Sequence, residues 1–254
     1  MTYLTLALSL VFVLIPLALS KVLQLGLEKD TIIATVRSII QLLIVGYILQ
    51  FVFDAGDWFY IIMMVMLMIG AATQNARKKG AAIKGITWKL IITFIFIEVL
   101  TQSILIGLDI IPPTAQYVIP ISGMVVGNSM VLSILFLNRF LAEVETHEEQ
   151  TELILSLGGT PKQAIHRQLI AAIKASTIPT IESQKTIGLV QLPGMMSGQI
   201  IAGADPVQAV QFQLLILFLL LTTAVLSSVM LGYLSYPVLF NERMQYIKLR
   251  QASR

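Results

Sequence analysis

One polar stretch separates the long apolar runs of this chain, and it reads Glu152-Leu-Ile-Leu-Ser-Leu-Gly158-Gly159-Thr160-Pro161-Lys162-Gln163. A double glycine is typical of a helix C-terminus, where the backbone needs a positive φ. Thr160 as N-cap, Pro161 at the first helical position and Gln163 in a capping box then favour a new helix. The stretch therefore predicts a compact helix-turn-helix between two membrane spans, a device that suits the docking of a soluble protein.

The composition around this stretch is that of a membrane protein. The chain has 254 residues, of which 56% are apolar and 12% are charged, against about 25% charged in ordinary soluble domains. Apolar runs of about 20 residues, enough to cross a bilayer, recur along the whole length. The absence of cysteine excludes disulfides, thiol catalysis and thiolate metal sites. We predict an all-α polytopic integral membrane protein with a single transmembrane domain over residues 1–254.

The apolar runs predict seven transmembrane helices, at about residues 3–20, 32–53, 58–74, 90–110, 115–137, 180–204 and 210–236. We expect the first span to be retained, because it lacks a preceding basic region and a convincing cleavage site. Of the 17 basic residues, 15 fall in alternate loops or at the C-terminus, where Lys248, Arg250 and Arg254 lie. The positive-inside rule then predicts an N-terminus outside and a C-terminus in the cytosol.

The cytosolic loop between spans five and six is predicted to cover about residues 138–178. Its first helix carries acidic residues in its N-terminal half and an apolar stripe at Leu153, Ile154 and Leu157. Its second helix has an apolar face made of Ala164, Ile165, Leu169, Ala172 and Ile173. The alternative is a plain interfacial helix pair that packs on lipid headgroups.

Two charged residues fall about two turns inside predicted spans, and each has a carboxamide one turn further along. They are Arg37 with Gln41 in span two, and Glu98 with Gln102 in span four. Charge in the hydrocarbon costs roughly 2.5–3.5 kcal/mol on insertion scales, so each case needs a reason. An Arg37–Glu98 pair could line a transport path, or it could be a buried ion pair that only fixes helix register.

Spans five and six share a short repeated pattern. Gly123 and Gly127 precede Asn128, while Gly194 and Gly198 precede Gln199, and a proline stands before each set, at Pro120 and Pro193. Gly-x-x-x-Gly permits close helix packing, and irregular backbone within a membrane is tolerated where it lines a cavity. We predict that Asn128 and Gln199 face a common path, with coincidence in a glycine-rich membrane chain as the alternative.

Candidate metal ligands are few. Glu98, Met124, Met195 and Met196 could bind a metal ion, although methionine in a span is more often a packing residue. Thioethers favour soft ions, whereas ferrous iron prefers carboxylate, carbonyl and imidazole ligands. Both histidines fall in the cytosolic loop. A metal ion that passes must therefore meet weakly coordinating groups, which also suits release.

The spacing of Glu152 and Gly158 resembles the Glu-Ala-Ala-x-x-x-Gly coupling loop of ABC transporter permeases. Leu153-Ile154 replaces the two alanines, and Pro179 lies later than in the importer pattern. The resemblance implies that a short helix enters a groove on an ATP-binding subunit. Its ATPase contacts here would be Glu152, Leu153, Leu157, Gly158 and Gly159.

Four further segments resemble the FetB/YbbM-type family of ABC permeases, which is associated with iron export. They are residues 36–42 (Val-Arg-Ser-Ile-Ile-Gln-Leu), 123–130 (Gly-Met-Val-Val-Gly-Asn-Ser-Met), 157–160 (Leu-Gly-Gly-Thr) and 188–200 (Gly-Leu-Val-Gln-Leu-Pro-Gly-Met-Met-Ser-Gly-Gln-Ile). Their order and spacing agree with the family from end to end. The resemblance implies a permease in a bacterial inner or plasma membrane that exports iron or another metal cation.

The same resemblance implies a homodimer of this chain that works with a separate ATP-binding subunit. No Gly-x-x-x-x-Gly-Lys-Ser/Thr occurs in the sequence, so ATP and Mg²⁺ would bind the partner, and the chain itself would hold no cofactor and be no enzyme. No nucleic-acid partner is expected. An intramembrane enzyme would need a positioned base near a nucleophile, which the spans do not offer. The alternative function is a stand-alone channel or secondary transporter for a small cation or solute.

Overall fold

The structure, a computed structural model, describes residues 10–247. It is mostly helical, and no β-strand occurs among the residues that it describes, so the predicted all-α fold is confirmed. The chain divides into two compact units, Met1–Asp57 and Trp58–Arg254. The described parts of these units, residues 10–57 and 58–247, are called unit 1 and unit 2.

Unit 1 consists of helix α1 (Val11–Val22) and helix α2 (Glu28–Ala55). Ser20 joins them, because its hydroxyl donates to Glu28 Oε1 at 2.8 Å and accepts from the Leu27 amide at 3.1 Å. α2 is followed by Gly56, whose φ of 62° would strain other residues. α2 is apolar and long enough to cross a membrane, and its side chains are largely exposed, as lipid contact would require.

Unit 2 contains the other helices. They are α3 (Trp58–Ala76), α4 (Ile86–Gly107), α5 (Ala115–Thr146), α6 (Glu148–Ser156), α7 (Pro161–Thr186), α8 (Gly194–Ile201) and α9 (Pro206–Ser235), followed by a 3₁₀ turn, Tyr236–Leu239. Side chains cap the starts of two helices, Thr160 at α7 and Asp205 at α9. Asp205 Oδ1 accepts hydrogen bonds from the amides of Val207 and Gln208 at the start of α9.

Helix α5 forms the centre of unit 2 and packs against α3, α4, α7 and α9. Its buried residues Phe136 and Phe140 stack with ring centroids 5.3 Å apart in the larger of two apolar clusters. At one end of the unit, Lys89 Nζ donates to the Leu234 carbonyl at 2.6 Å, and Lys162 lies 5.8 Å from the Tyr233 ring centroid. The basic residues in the first turns of α4 and α7 are thus brought to the same end of unit 2.

Among residues 10–247, five helical segments are long and apolar enough to cross a membrane, whereas the sequence predicts seven spans over the whole chain. They are α2, α3, α4, α5 and Pro206–Leu239, and they correspond to predicted spans two, three, four, five and seven. Predicted span one, residues 3–20, lies partly outside the described residues. Its described part belongs to α1, a helix of 12 residues. The basic residues Lys248, Arg250 and Arg254 lie wholly outside the described residues.

The prediction of one continuous span at residues 180–204 is wrong. α7 ends at Thr186, residues 187–193 are irregular, and α8 begins at Gly194. Gly188 has a φ of 88°, a conformation that breaks a helix and that glycine adopts without strain. Hydropathy gives no signal for this break, because the irregular residues Leu189, Val190 and Leu192 are as apolar as a span.

The bounds of the cytosolic loop, about 138–178, stay a prediction, but helices run across both of them. α5 runs on to Thr146, well beyond the predicted end of span five at residue 137. α7 continues through Pro179 to Thr186. Proline removes only one helical hydrogen bond, and this helix tolerates that loss without ending.

The junction of α5, α7 and α9 leaves no room for a methyl group at Gly232. A Cβ atom there would lie 2.6 Å from Leu169 Cδ1 and 3.1 Å from Phe136 Cζ, two side chains that are themselves buried. We predict that Gly232→Ala lowers the free energy of unfolding by about 1–3 kcal/mol through overpacking. The melting temperature of the detergent-solubilised protein measures this change.

Gly70→Ala is the matched control, because Gly70 is also helical and a Cβ there meets nothing within 4 Å. Alanine favours a helix over glycine by about 1 kcal/mol, so this variant should melt no lower than the wild type. Equal melting temperatures for both variants would contradict the packing at Gly232.

Candidate functional site

A buried polar cluster links α4 to α5 inside unit 2. Ser122 Oγ donates a hydrogen bond to Glu98 Oε1 at 2.5 Å, and Gln102 Nε2 donates to the same oxygen at 3.0 Å. Gln102 Nε2 also lies 2.9 Å from Ser122 Oγ. The predicted grouping of Glu98 with Gln102 is confirmed. Sequence reasoning missed Ser122, because it comes from another helix, 24 positions away from Glu98.

Two acceptor atoms of this cluster have no hydrogen-bond partner among the described residues. They are Glu98 Oε2 and Gln102 Oε1, and both atoms are buried. Glu98 as a whole is only 5% exposed. A buried acceptor without a donor costs about 1–3 kcal/mol, and more when it is charged. The cluster is therefore an acceptor-rich site that a cation or a donor group would stabilise.

Asn128 forms a second polar link, from α5 to α9. Its side-chain nitrogen donates to the Leu220 carbonyl at 3.0 Å and to Thr223 Oγ1 at 2.9 Å. Asn128 thus binds a neighbouring helix in this structure, and its predicted place on a transport path stays a prediction. Thr223 was not singled out from sequence, since a lone threonine in an apolar run carries no specific signal.

Arg37 and Gln41 lie one turn apart on α2 and are exposed in unit 1. Glu98 belongs to unit 2, where its hydrogen bonds come from Ser122 and Gln102. The Arg37–Glu98 pair and the path-lining role of Arg37 and Gln41 stay predictions.

The repeated glycine pattern falls in two different settings. Gly123 and Gly127 lie within α5, while Gly194 and Gly198 lie in the short helix α8, after Pro193 as its N-cap. A Cβ at Gly127, Gly194 or Gly198 would meet nothing within 4 Å of the described chain, and at Gly123 only Met68, at 3.8 Å. Close packing inside one chain does not explain these glycines. A packing role against another chain, and a path role for half-buried Gln199, stay predictions.

Two of the three methionine candidates pack against apolar side chains in this structure. Met124 and Met195 contact an apolar cluster that includes Ile97 and Ile216. Within residues 10–247, no three His, Asp or Glu side chains come together as a metal site. A ligand role for Glu98, Met124, Met195 or Met196 stays a prediction, and only Glu98 lies in a polar cluster.

The turn between α6 and α7, which we call the elbow (residues 157–160), has the predicted caps. The Gly159 amide donates to the Ile154 carbonyl at 2.9 Å and the Gly158 amide to the Leu155 carbonyl at 3.0 Å, as in a Schellman motif. Gly158 has a φ of 85°. Thr160 and Gln163 form the predicted capping box. Both sides of the elbow are therefore fixed by local hydrogen bonds.

The two elbow helices bury one face and expose the other. The predicted apolar face of α7 is confirmed, with Ala164, Ile165, Leu169 and Ala172 buried and Ile173 packed against the same core. A hydrogen bond of 3.2 Å between the buried Thr151 hydroxyl and the Gln168 amide joins α6 to α7. The predicted contact residues Glu152, Leu153, Leu157 and Gly158 are exposed, and Gly159 is half-buried.

Leu153 and Leu157 are 59% and 79% exposed, one turn apart on a helix whose other residues are mostly polar. A Cβ at Gly159 would lie 2.8 Å from the Ile154 carbonyl oxygen, so the elbow has space for glycine only. The pair of exposed leucines is thus presented by a rigid support.

A short hairpin in which Phe240 pairs with Tyr246 lies near the acidic residues of α6 and was not predicted. Tyr246 lies against Phe240, with ring centroids 6.3 Å apart, and both contact the larger apolar cluster. Burial raises the pKa of the Tyr246 phenol, and the nearby carboxylates of Glu148, Glu145 and Glu152 raise it further. The hairpin therefore places an uncharged phenol next to the acidic side of α6.

Taken together, membrane-length helices, a buried polar cluster and a capped elbow define a polytopic α-helical membrane protein. The chain belongs to the family described as "Uncharacterised protein family (UPF0014)", whose model matches residues 3–240. The predicted resemblance to the FetB/YbbM-type permeases is confirmed by the relatives found.

Three relatives cover nearly the whole chain. "UPF0014 membrane protein YjkA" of Bacillus subtilis is 56% identical over 245 residues, 96% of this chain and 98% of that protein. "Probable iron export permease protein FetB" of Escherichia coli is 42% identical over 246 residues, 96% and 94% of the two chains. "Protein ALUMINUM SENSITIVE 3" of Arabidopsis thaliana is 32% identical over 239 residues, 94% and 88%. No solved structure matches the chain significantly.

The open surface at Gly198 generates a prediction about assembly. If α8 packs closely against a second copy, Gly198→Leu should lower the dimer fraction, because the leucine holds the two backbones apart. The fold of the single chain should survive, since nothing lies within 4 Å of that position. Native mass spectrometry of the solubilised protein gives the dimer fraction. Gly46→Leu, at an equally open position of α2, is the control, and an unchanged dimer fraction in Gly198→Leu would refute the contact.

Proposed function

We propose that this chain is the membrane-spanning permease subunit of an ABC transporter that exports iron or another metal cation. A separate subunit hydrolyses ATP and holds the Mg²⁺, and this chain binds no cofactor and catalyses no reaction. Two copies of the chain form the passage in a bacterial plasma membrane. The N-terminus lies outside, and the C-terminus lies in the cytosol with the elbow.

The exposed leucine pair at the elbow is the observation that carries this proposal. Leu153 and Leu157 stand on a polar helix, beyond the end of the membrane-length helix α5. Exposed apolar side chains on a rigid polar support are typical of a protein contact site. A groove on an ATP-binding subunit would cover both leucines, and the Schellman turn would keep them in register with it.

The choice of cargo is supported by a relative and by chemistry. A relative that is 42% identical over 96% of this chain is named a probable iron export permease. The unpaired atoms of the buried polar cluster, Glu98 Oε2 and Gln102 Oε1, are both oxygen acceptors, which suit a metal cation better than an anion. Export, rather than import, rests on that relative's name.

Reconstitution tests the whole proposal. The chain is purified together with its ATP-binding subunit, inserted into liposomes, and assayed for ATP-dependent movement of iron against zinc, copper and manganese. Iron movement that requires ATP and the second subunit supports the permease. Cation movement that persists without ATP or any second subunit would instead make the chain a channel or a secondary transporter.

A negative charge at the leucine pair should uncouple ATP hydrolysis by the partner subunit from transport by this chain. We predict that Leu153→Asp and Leu157→Asp each lower permease-stimulated ATP hydrolysis at least about tenfold, because a buried unpaired carboxylate costs several kcal/mol at an interface. Membrane insertion should not change, since both residues lie outside the packed core. ATPase activity and co-purification of the two subunits are the measurements.

Gln150→Asp adds the same charge to α6 at another exposed position and removes no apolar contact. This control should keep its subunit and its activity. If Leu157→Asp retains full stimulation, or if Gln150→Asp loses as much, the leucine pair is not the docking contact.

A further inference from the structure

The Glu98 carboxylate has no cation near it within unit 2. The helices that pack on α4 are α3, α5 and α9, and neither α3 nor α9 contains a charged residue. The first charge on α5 is Arg139, 17 residues beyond Ser122 and therefore about 26 Å along the helix axis. On α4 itself, Lys89 is nine residues away, about 14 Å, and its ammonium caps the end of α9.

The hydrogen bonds of the cluster serve only one side of the carboxylate. Ser122 and Gln102 both donate to Glu98 Oε1, which leaves Glu98 Oε2 and Gln102 Oε1 as buried acceptors without a donor among the described residues. The site thus presents one oxygen of an oriented carboxylate and one amide oxygen, and unit 2 supplies no positive charge close to them. The donors on Oε1 also fix the carboxylate, so that Oε2 keeps one direction.

We propose that Glu98 and Gln102, oriented by Ser122, form a transient binding site for a hard divalent cation that crosses the protein. This inference rests on the proposed permease function and adds the place of binding and the chemical class of the cation. Carboxylate and carboxamide oxygens select hard cations over soft ones. The thioethers of Met124 and Met195, which would favour a soft ion, are packed in an apolar cluster.

The composition of the site also sets its strength. It offers one carboxylate, and no cluster of three His, Asp or Glu side chains occurs in residues 10–247. Such a site holds a divalent cation weakly, with water as its remaining ligands. Weak binding is what a passage needs, because an ion held by a complete cage is not released.

Mn²⁺ binding to the purified full chain tests this site directly. The protein is held in lipid nanodiscs without an ATP-binding subunit, and the paramagnetic resonance signal of free Mn²⁺ gives the bound fraction. Glu98→Gln preserves the shape of the side chain and removes its charge. We expect it to weaken Mn²⁺ binding at least about tenfold. Glu149→Gln, at an exposed position of the acidic helix α6, should leave that affinity unchanged.

Unchanged Mn²⁺ affinity in folded Glu98→Gln overturns the proposal, and so does an equal loss in Glu149→Gln. If Glu98→Gln does not fold, Gln102→Leu is the deciding variant. It keeps the Glu98 carboxylate and removes the amide oxygen, so Mn²⁺ affinity should still fall. Full affinity in Gln102→Leu then overturns the site.

Arg37 is the competing occupant. A wild-type chain that binds no Mn²⁺, and in which Arg37→Gln and Glu98→Gln lower the melting temperature non-additively, would assign Glu98 to an ion pair and overturn the cation site. The binding assay contains neither ATP nor a second subunit. Loss of Mn²⁺ binding together with intact ATP-coupled transport would therefore refute only the cation site. Intact Mn²⁺ binding without ATP-coupled transport would refute only the ABC permease.

Discussion

The packing of helix α5 against four other helices is the constraint on which unit 2 depends. Its 32 residues give a length of about 48 Å, well above the roughly 30 Å of a bilayer core. Its first half carries Ser122 and Asn128, which hydrogen-bond to α4 and α9. Its second half carries Phe140 and Val144, which share an apolar cluster with buried residues of α7. One continuous helix thus contacts both the polar cluster and the elbow helices.

This arrangement gives the proposed permease a mechanical link. α6 begins two residues after the end of α5, and α7 packs against both α5 and α9. In the proposed complex, a force on Leu157 would be passed to a turn that hydrogen bonds hold on both sides, and from there to the faces of α5 and α9. Packed interiors transmit such shifts because they are close to incompressible. Asn128, which joins those same two helices, lies on the way to the cluster around Glu98.

Local signals were read correctly from the sequence, and long-range ones were not. Thr160, Gln163 and the double glycine determine the elbow within a few residues, so its hydrogen bonds could be predicted from the local sequence. Glu98 and Gln102 were grouped correctly for the same reason, since one helical turn separates them. Ser122 and Thr223 enter the polar links only through helix packing, and a hydroxyl in an apolar span has no distinctive pattern. The break after Thr186 was hidden because an irregular apolar segment and a helical one have the same hydropathy.

That broken segment bears on how the chain meets its surroundings. Residues 187–193 are irregular, and Leu189 and Val190 are 91% and 84% exposed. Irregular backbone does not face lipid hydrocarbon, because carbonyl groups without an internal partner would have no hydrogen bond there. Water is an equally poor environment for the apolar side chains. The segment is therefore suited to burial against protein, and the open backbone at Gly194 and Gly198 that follows it would allow a second helix to come close. A dimer that buries this segment would satisfy both requirements with residues that a single chain leaves uncovered.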